Sequence, residues 1–223
     1  QNPGNIFKVP ACYNIRMSGQ IQPCANSLAP LKVLGIAASP RREGNTDLLL
    51  AQALRGAADA GAEVTTLTLC ELDIAPCRHC DGCLKTGKCV IDDDMQMVYR
   101  KLRDLDRLVF ASPIFFMGVT AQGKAMIDRC QALWALKYLL KIPVASIPGR
   151  NRKGLFLSAG GLSYEKEKLF SPARATVRAF FATLDIKYSA ELLFPHVDRK
   201  GEIAQHPTAL TDAFNAGLQL VGD

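Results

Sequence analysis

The stretch Lys32-Val33-Leu34-Gly35-Ile36-Ala37-Ala38-Ser39-Pro40-Arg41-Arg42-Glu43-Gly44-Asn45-Thr46 decides the fold. Its apolar opening is short and bounded by turn residues, which suits a strand buried on both faces. A polar loop follows. Then Leu48, Leu49, Ala51, Ala53 and Leu54 lay out the apolar face of a helix over residues 46–60, closed by Gly61. The unit is strand, loop, helix.

Working outward, the same unit recurs. Strands are expected at 64–69, 108–111, 154–158 and 186–194. Helices are expected at 92–105, 120–140, 168–184 and 207–221. The helix at 92–105 would carry three Asp in its first turn, where the helix dipole favours negative charge. Strict alternation of strands and helices means a parallel sheet with helices on both faces. Five strands favour a doubly wound, flavodoxin-like α/β domain of order 2-1-3-4-5. In that order a ligand sits where the sheet reverses direction, on the loops after the first and third strands.

The remaining composition narrows the possibilities. The chain has 223 residues, 48% of them apolar and 22% charged, which argues against disorder. No apolar run approaches the roughly 20 residues of a membrane span. The net charge of +6 comes from scattered residues and two short basic turns, Arg41-Arg42 and Arg150-Asn151-Arg152-Lys153. Such turns read as solvated, so nucleic-acid binding is not expected. Residues 1–30 are rich in Pro, Asn and Gln and lack periodicity. They read as an irregular N-terminal arm lying on its own domain or a neighbouring subunit, with 31–223 as the single domain. No secretory signal is visible, and a cytoplasmic location is expected.

Three loops carry candidate chemistry. After the first strand, Ser39, Arg41, Asn45 and Thr46 lead into a helix N-terminus, a setting for a phosphate. The plainer alternative is that Asn45 or Thr46 only caps the helix. After the third strand, Pro113, Ile114, Phe115, Phe116 and Gly118 offer a flat apolar wall, or else ordinary packing under the next helix. After the fourth, Ala159, Gly160 and Gly161 allow close backbone approach to a ligand or form a plain turn.

The eight cysteines are Cys12, Cys24, Cys70, Cys77, Cys80, Cys83, Cys89 and Cys130. Four crowd into a loop at 76–90 with spacing C-x2-C-x2-C-x5-C. Crowding in a chain with ample core reads as a metal site in a reducing compartment, not a disulfide framework. The spacing can wrap one cubane iron–sulfur cluster on Cys77, Cys80, Cys83 and Cys89. Structural zinc more often uses two CxxC pairs further apart, so zinc and unmetallated thiols are the alternatives. His79 reads as solvent-facing. Gly82-x4-Gly87-Lys88 imitates a nucleotide phosphate loop, but Cys89 stands where Ser or Thr should be, and no helix follows. Cys70 and Cys130 read as small buried hydrophobes. Gly123, inside a helix, suggests close packing of the arm or of another subunit. His196 and His206 read as surface histidines.

Ser39-Pro40-Arg41 through Gly44-Asn45-Thr46, the cysteine run with Asp92-Asp93-Asp94-Met95 after it, and Ser112-Pro113-Ile114-Phe115-Phe116 through Ala125-Met126-Ile127-Asp128-Arg129 resemble the iron–sulfur flavoproteins of the NADPH-dependent FMN reductase family. The resemblance covers residues 31–223. It implies FMN, with its phosphate on Ser39, Arg41, Asn45 and Thr46. The isoalloxazine would rest against Pro113, Ile114, Phe115, Phe116 and Gly118, with Ala159, Gly160 and Gly161 at its far edge. It implies a [4Fe–4S] cluster on Cys77, Cys80, Cys83 and Cys89. It further implies a dimer or tetramer that exchanges electrons with a ferredoxin-like donor. The expected function is an electron-relaying flavoprotein. One rival is an NAD(P)H-dependent flavin or quinone reductase with a structural or zinc-binding cysteine loop. The other is a redox subunit docked through residues 1–30.

Overall fold

The computed structural model describes residues 13–15, 21–23, 29–162 and 164–222. The chain divides into two units, 1–30 and 31–223. In the first, strands β1 (Tyr13–Ile15) and β2 (Ile21–Pro23) pair antiparallel, so the stretch read as irregular holds a short ribbon. Cys12 and Cys24 lie outside the described residues, as does any docking of the arm.

The second unit contains β3 (Lys32–Ala37), β4 (Glu63–Thr68), β5 (Arg107–Ala111), β6 (Lys153–Gly160) and β7 (Lys187–Pro195). They form one parallel sheet in the order β4-β3-β5-β6-β7. Counted within the domain this is 2-1-3-4-5, as expected. The three central strands are almost wholly buried, while β4 and β7 expose much of their length at the edges. That division follows from helices covering both faces.

The two-residue period of the strands sorts the core. Val33, Val109, Leu155 and Leu157 face one helical layer, α1 (Asn45–Asp59) and α6 (Ala209–Gly222). Leu34, Ile36, Leu108, Phe110 and Phe156 face the other, α2 (Met95–Asp104), α3 (Ala121–Arg129) and α5 (Lys166–Thr183). Helices α1 and α6 cross at two glycines. A Cβ on Gly56 would lie 2.0 Å from the Phe214 carbonyl oxygen, and one on Gly217 would lie 1.8 Å from that of Ala53.

The helix expected over 120–140 is broken. It runs as α3, turns at Cys130, resumes as the short α4 (Gln131–Trp134), and ends in a π-helical turn at Ala135–Leu139. Thr120 caps α3, accepting from the Gly123 amide at 3.1 Å and donating to the Ala38 carbonyl at 2.6 Å. Gly123 has a local cause within the domain. A Cβ there would stand 3.2 Å from that of Ala38 and 3.4 Å from the Phe110 ring, so the glycine lets α3 settle onto the ends of β3 and β5.

The basic turn at 150–153 is not simply solvated. Arg152 is 2% exposed. Its guanidinium donates to the carbonyls of Leu105 at 3.1 Å, Leu184 at 2.5 Å and Leu102. It thus joins the C-terminal ends of α2 and α5, where partial negative charge collects. Burial pushes its pKa down to about 10. Arg152→Met leaves those buried carbonyls without their donor and is expected to cost about 3 kcal/mol of unfolding free energy in urea titrations. A loss below about 1 kcal/mol would show that water can replace the guanidinium.

Candidate functional site

The loops at the C-terminal ends of β3, β5 and β6 border one cavity. Every predicted cofactor residue lines it except Phe116 and Gly118. Ser39 folds its loop back on itself, accepting from the Arg41 amide and donating to the Arg41 carbonyl, both at 3.0 Å. Gly44 then starts α1 in extended backbone, and no side chain caps the helix. The first-turn amides and the positive dipole end therefore stand beside the cavity. Thr46 is 1% exposed and faces the same space. Asp47 is half-buried; burial pushes its carboxyl up against the pull of the Gly44 and Glu43 amides, and its Oδ1 has no partner.

Asn45 neither caps α1 nor offers a free side chain to a phosphate. Its amide nitrogen donates to the Arg199 carbonyl at 2.9 Å, and its oxygen accepts from the Ile203 amide at 3.1 Å. Arg41 donates to the Asp198 carbonyl at 3.3 Å. Both residues clasp a loop after β7 that the sequence reading left out. Val197 and Asp198 of that loop line the cavity. Gly160 and Gly161 are required for packing of the loops themselves. A Cβ on Gly161 would sit 2.6 Å from that of Asp198, and one on Gly160 would sit 3.2 Å from that of Ile114.

Phe116 departs from its expected place against a ligand. Phe115 and Gly118 exchange backbone hydrogen bonds at 3.0 and 2.9 Å, closing a two-residue turn. Phe116 and Met117 take φ of 48° and 65°, the left-handed pair such a turn demands. The turn throws the Phe116 ring fully into solvent.

The cysteine loop builds a second cavity. Cys77, Cys80, Cys83 and Cys89 all line it, together with Arg129, Gln131 and Ala132. All four are free thiols; Cys77 and Cys80 are exposed, and Cys83 and Cys89 half-buried. The backbone curls by entering left-handed conformation at His79, Asp81 and Gly87. The Gly87 amide closes a turn on the Cys83 carbonyl at 2.8 Å. A Cβ on Gly82 would meet Val90 at 2.7 Å, and one on Gly87 would meet Leu136 at 2.6 Å. The Gly82 amide pulls the Cys80 thiol down, helped by Arg78. Burial, then the charges of Cys89, Cys77 and Cys80, pushes the Cys83 thiol up. Among the described residues, no three His, Cys, Asp or Glu side chains converge on a single-ion site. The His79 side chain is 88% exposed, as expected. Cys130 is buried, as expected, whereas Cys70 is exposed because it sits on a 3₁₀ turn beyond the end of β4.

A buried ion pair underlies this loop. Helix α2 begins at Met95, later than expected, with Asp94 as its N-cap and the Asp93 carboxylate engaged by its first amide. Asp94 accepts from the Asp73 amide at 2.8 Å. Asp93 accepts from the amides of Ala75 and Met95 and pairs with both terminal nitrogens of Arg129, at 2.6 and 3.0 Å. Burial works to raise the Asp93 pKa, but these partners hold it below the ordinary carboxylate range. Arg129 has no side-chain exposure. A charged residue closing the apolar run Met126-Ile127 was the available signal for it, and three acidic residues upstream were the signal for its partner.

With both cavities defined, comparison with known proteins decides the family. Residues 31–165 match the NADPH-dependent FMN reductases. The chain belongs to this family. Among its relatives are iron–sulfur flavoproteins of three archaea. That of Methanocaldococcus jannaschii is 41% identical over 103 residues, 46% of this chain and 53% of that protein. One from Archaeoglobus fulgidus is 41% identical over 125 residues, 55% and 64% of the two chains. That of Methanosarcina thermophila is 35% identical over 131 residues, 59% and 64%. The matches thus span between half and two thirds of these relatives' length. In fold the family member resembles an NAD(P)H:quinone oxidoreductase from Methanothermobacter marburgensis, with a TM-score of 0.68 at 17% identity over 86% of this chain and 96% of that one. It also resembles an FMN-dependent NADH-azoreductase from Bacillus anthracis in complex with FMN, with a TM-score of 0.59 at 13% identity over 86% and 99%. Among the described residues, no helix is long and apolar enough to cross a membrane.

Proposed function

We propose that this chain is an oxidoreductase that binds FMN in the first cavity and a [4Fe–4S] cluster in the second, and relays electrons between them. The observation that carries the reading is the pairing of sites in one FMN reductase domain. An uncapped helix N-terminus faces a narrow cavity, and four free thiols surround a second one. FMN exchanges electrons in pairs or singly, and a cubane cluster carries one at a time.

The residues fit both groups. The α1 amides, Ser39 and Thr46 would hold the phosphate; Pro113, Ile114 and Phe115 would support the ring system. Asn45 and Arg41 would act indirectly, by fixing the loop after β7. Four soft thiolates suit iron, and a buried guanidinium beside them offsets their charge. No acid–base pair is called for, because the chain's task is to hold two centres and set their potentials. A ferredoxin-like protein or NAD(P)H would supply electrons, to a dimer or tetramer.

The test is anaerobic purification followed by flavin, iron and zinc analysis and a visible spectrum. Flavin with about four iron atoms per chain supports the relay. Flavin with zinc and no iron overturns the cluster and leaves an ordinary NAD(P)H-dependent reductase. Riboflavin, which lacks the phosphate, is expected to bind the flavin-free protein about 100-fold more weakly than FMN, since several charge-assisted hydrogen bonds are lost. Equal affinity in a fluorescence titration would remove the phosphate from the α1 N-terminus.

A further inference from the structure

The donor inventory of Arg129 is incomplete. A guanidinium has five N–H groups. One terminal nitrogen donates to the Ala75 carbonyl at 2.8 Å and to Asp93 at 2.6 Å. The other donates to the Ile91 carbonyl at 3.3 Å and to Asp93 at 3.0 Å. That leaves Nε–H, which is buried and has no partner. Asp93 cannot take it, because each carboxylate oxygen already accepts from one backbone amide and one guanidinium nitrogen. The neighbouring Tyr99 hydroxyl donates to the Arg129 carbonyl at 2.7 Å and makes no hydrogen bond with Nε. A buried unpaired donor costs about 1–3 kcal/mol and is rare in native proteins. Its side chain borders the cavity of the four cysteines.

We propose that Arg129 is a positioning residue for the cysteine site, whose Nε–H donates to a sulfur of the cluster and raises its midpoint potential. The inference rests on the iron–sulfur reading above. Adding one electron makes the cluster more negative, and a hydrogen bond from a cationic donor stabilises that form more than the oxidised one. Asp93 orients the donor, as a carboxylate orients a ligand in other metal sites.

The test needs no variant at first. Protein grown with arginine labelled with nitrogen-15 at Nε is reduced anaerobically and examined by pulsed electron paramagnetic resonance. A nitrogen-15 coupling to the cluster is expected, retained in labelled R78K and lost in labelled R129K. Potentiometric titration is expected to place R129K at a lower midpoint potential with iron per chain unchanged, because lysine keeps the charge but not the Nε–H. A cluster-loaded wild type without arginine coupling overturns the proposal. So does coupling that vanishes in R78K, or an unchanged potential in R129K. If R129K does not fold, the labelled wild type and R78K still decide. Protein that takes up no iron at all sinks the cluster reading itself, which the metal analysis registers separately.

Discussion

Cys83→Ala is expected to give a yellow protein with almost no iron. Cys83, like Cys89, is partly buried against the core, and its carbonyl anchors the turn closed by Gly87. It shares one cavity with the other three thiols. A cubane left with three cysteine ligands exposes one iron, and the remaining donors around the cavity are poor substitutes: His79 and Asp81 are mostly exposed, and Asp93 is fully engaged. Iron should fall from about four atoms per chain to below about one. Flavin should stay at wild-type stoichiometry, because no residue of the loop at 76–90 lines the first cavity. Iron analysis beside the flavin absorbance checks both halves. Full iron in this variant would place the cluster ligands elsewhere. Simultaneous loss of flavin would mean that the two sites are not separable.

Gly217→Val should be the most damaging substitution far from either cavity. A methyl-sized atom there would fall 1.8 Å from the Ala53 carbonyl oxygen, a backbone atom that cannot swing away. Replacing a helical glycine by valine normally gains only about 0.3–0.5 kcal/mol in helix propensity. Here the overlap wins, since α1 and α6 must separate along their whole crossing. A cost of about 3 kcal/mol is expected, lowering Tm by about 6–12 °C for a chain of this size. FMN affinity should fall at least about tenfold, because α1 carries Asn45, Thr46 and the amides of the phosphate end. Gly222→Ala is the control: nothing lies within 4 Å of its Cβ position, so Tm should hold. Thermal melts of both variants settle the comparison.

These variants also mark what the sequence could and could not disclose. Buried strands announced themselves through runs such as Leu108-Val109-Phe110-Ala111, and the sheet order followed from alternation together with the count of five strands. The loops after the first and third strands of the domain were legible as cavity walls because they flank the sheet's switch point; the glycine pair after the fourth strand gave a weaker signal. The roles within them were less legible. Asn45 resembled a phosphate ligand or a cap, yet its partners lie more than 150 residues away, at Arg199 and Ile203. No local pattern encodes such a contact. Phe116 carried the right chemistry, but the handedness of its turn, invisible in composition, directs it outward. Arg152 read as part of a solvated turn, and Arg129 drew no reading of its own, because burial is a tertiary property. Helix 120–140 broke at Cys130, just after Arg129 is drawn to Asp93, a pairing that periodicity does not record.

The clasp between Asn45 and the loop at Arg199 and Ile203 also sets an order of maturation. A chain emerges from the ribosome N-terminus first, and domains fold as they emerge. Every residue lining the cysteine cavity has been synthesised once Ala132 is made. The flavin cavity must wait for Val197, Asp198 and the residues that Asn45 grips. Helix α1, whose N-terminus would receive the phosphate, must wait longer still for α6 to dock across it. The earliest loop of the domain is thus among the last parts of the domain to take its final shape, and the first cavity closes only after every residue of the cysteine cavity has been made.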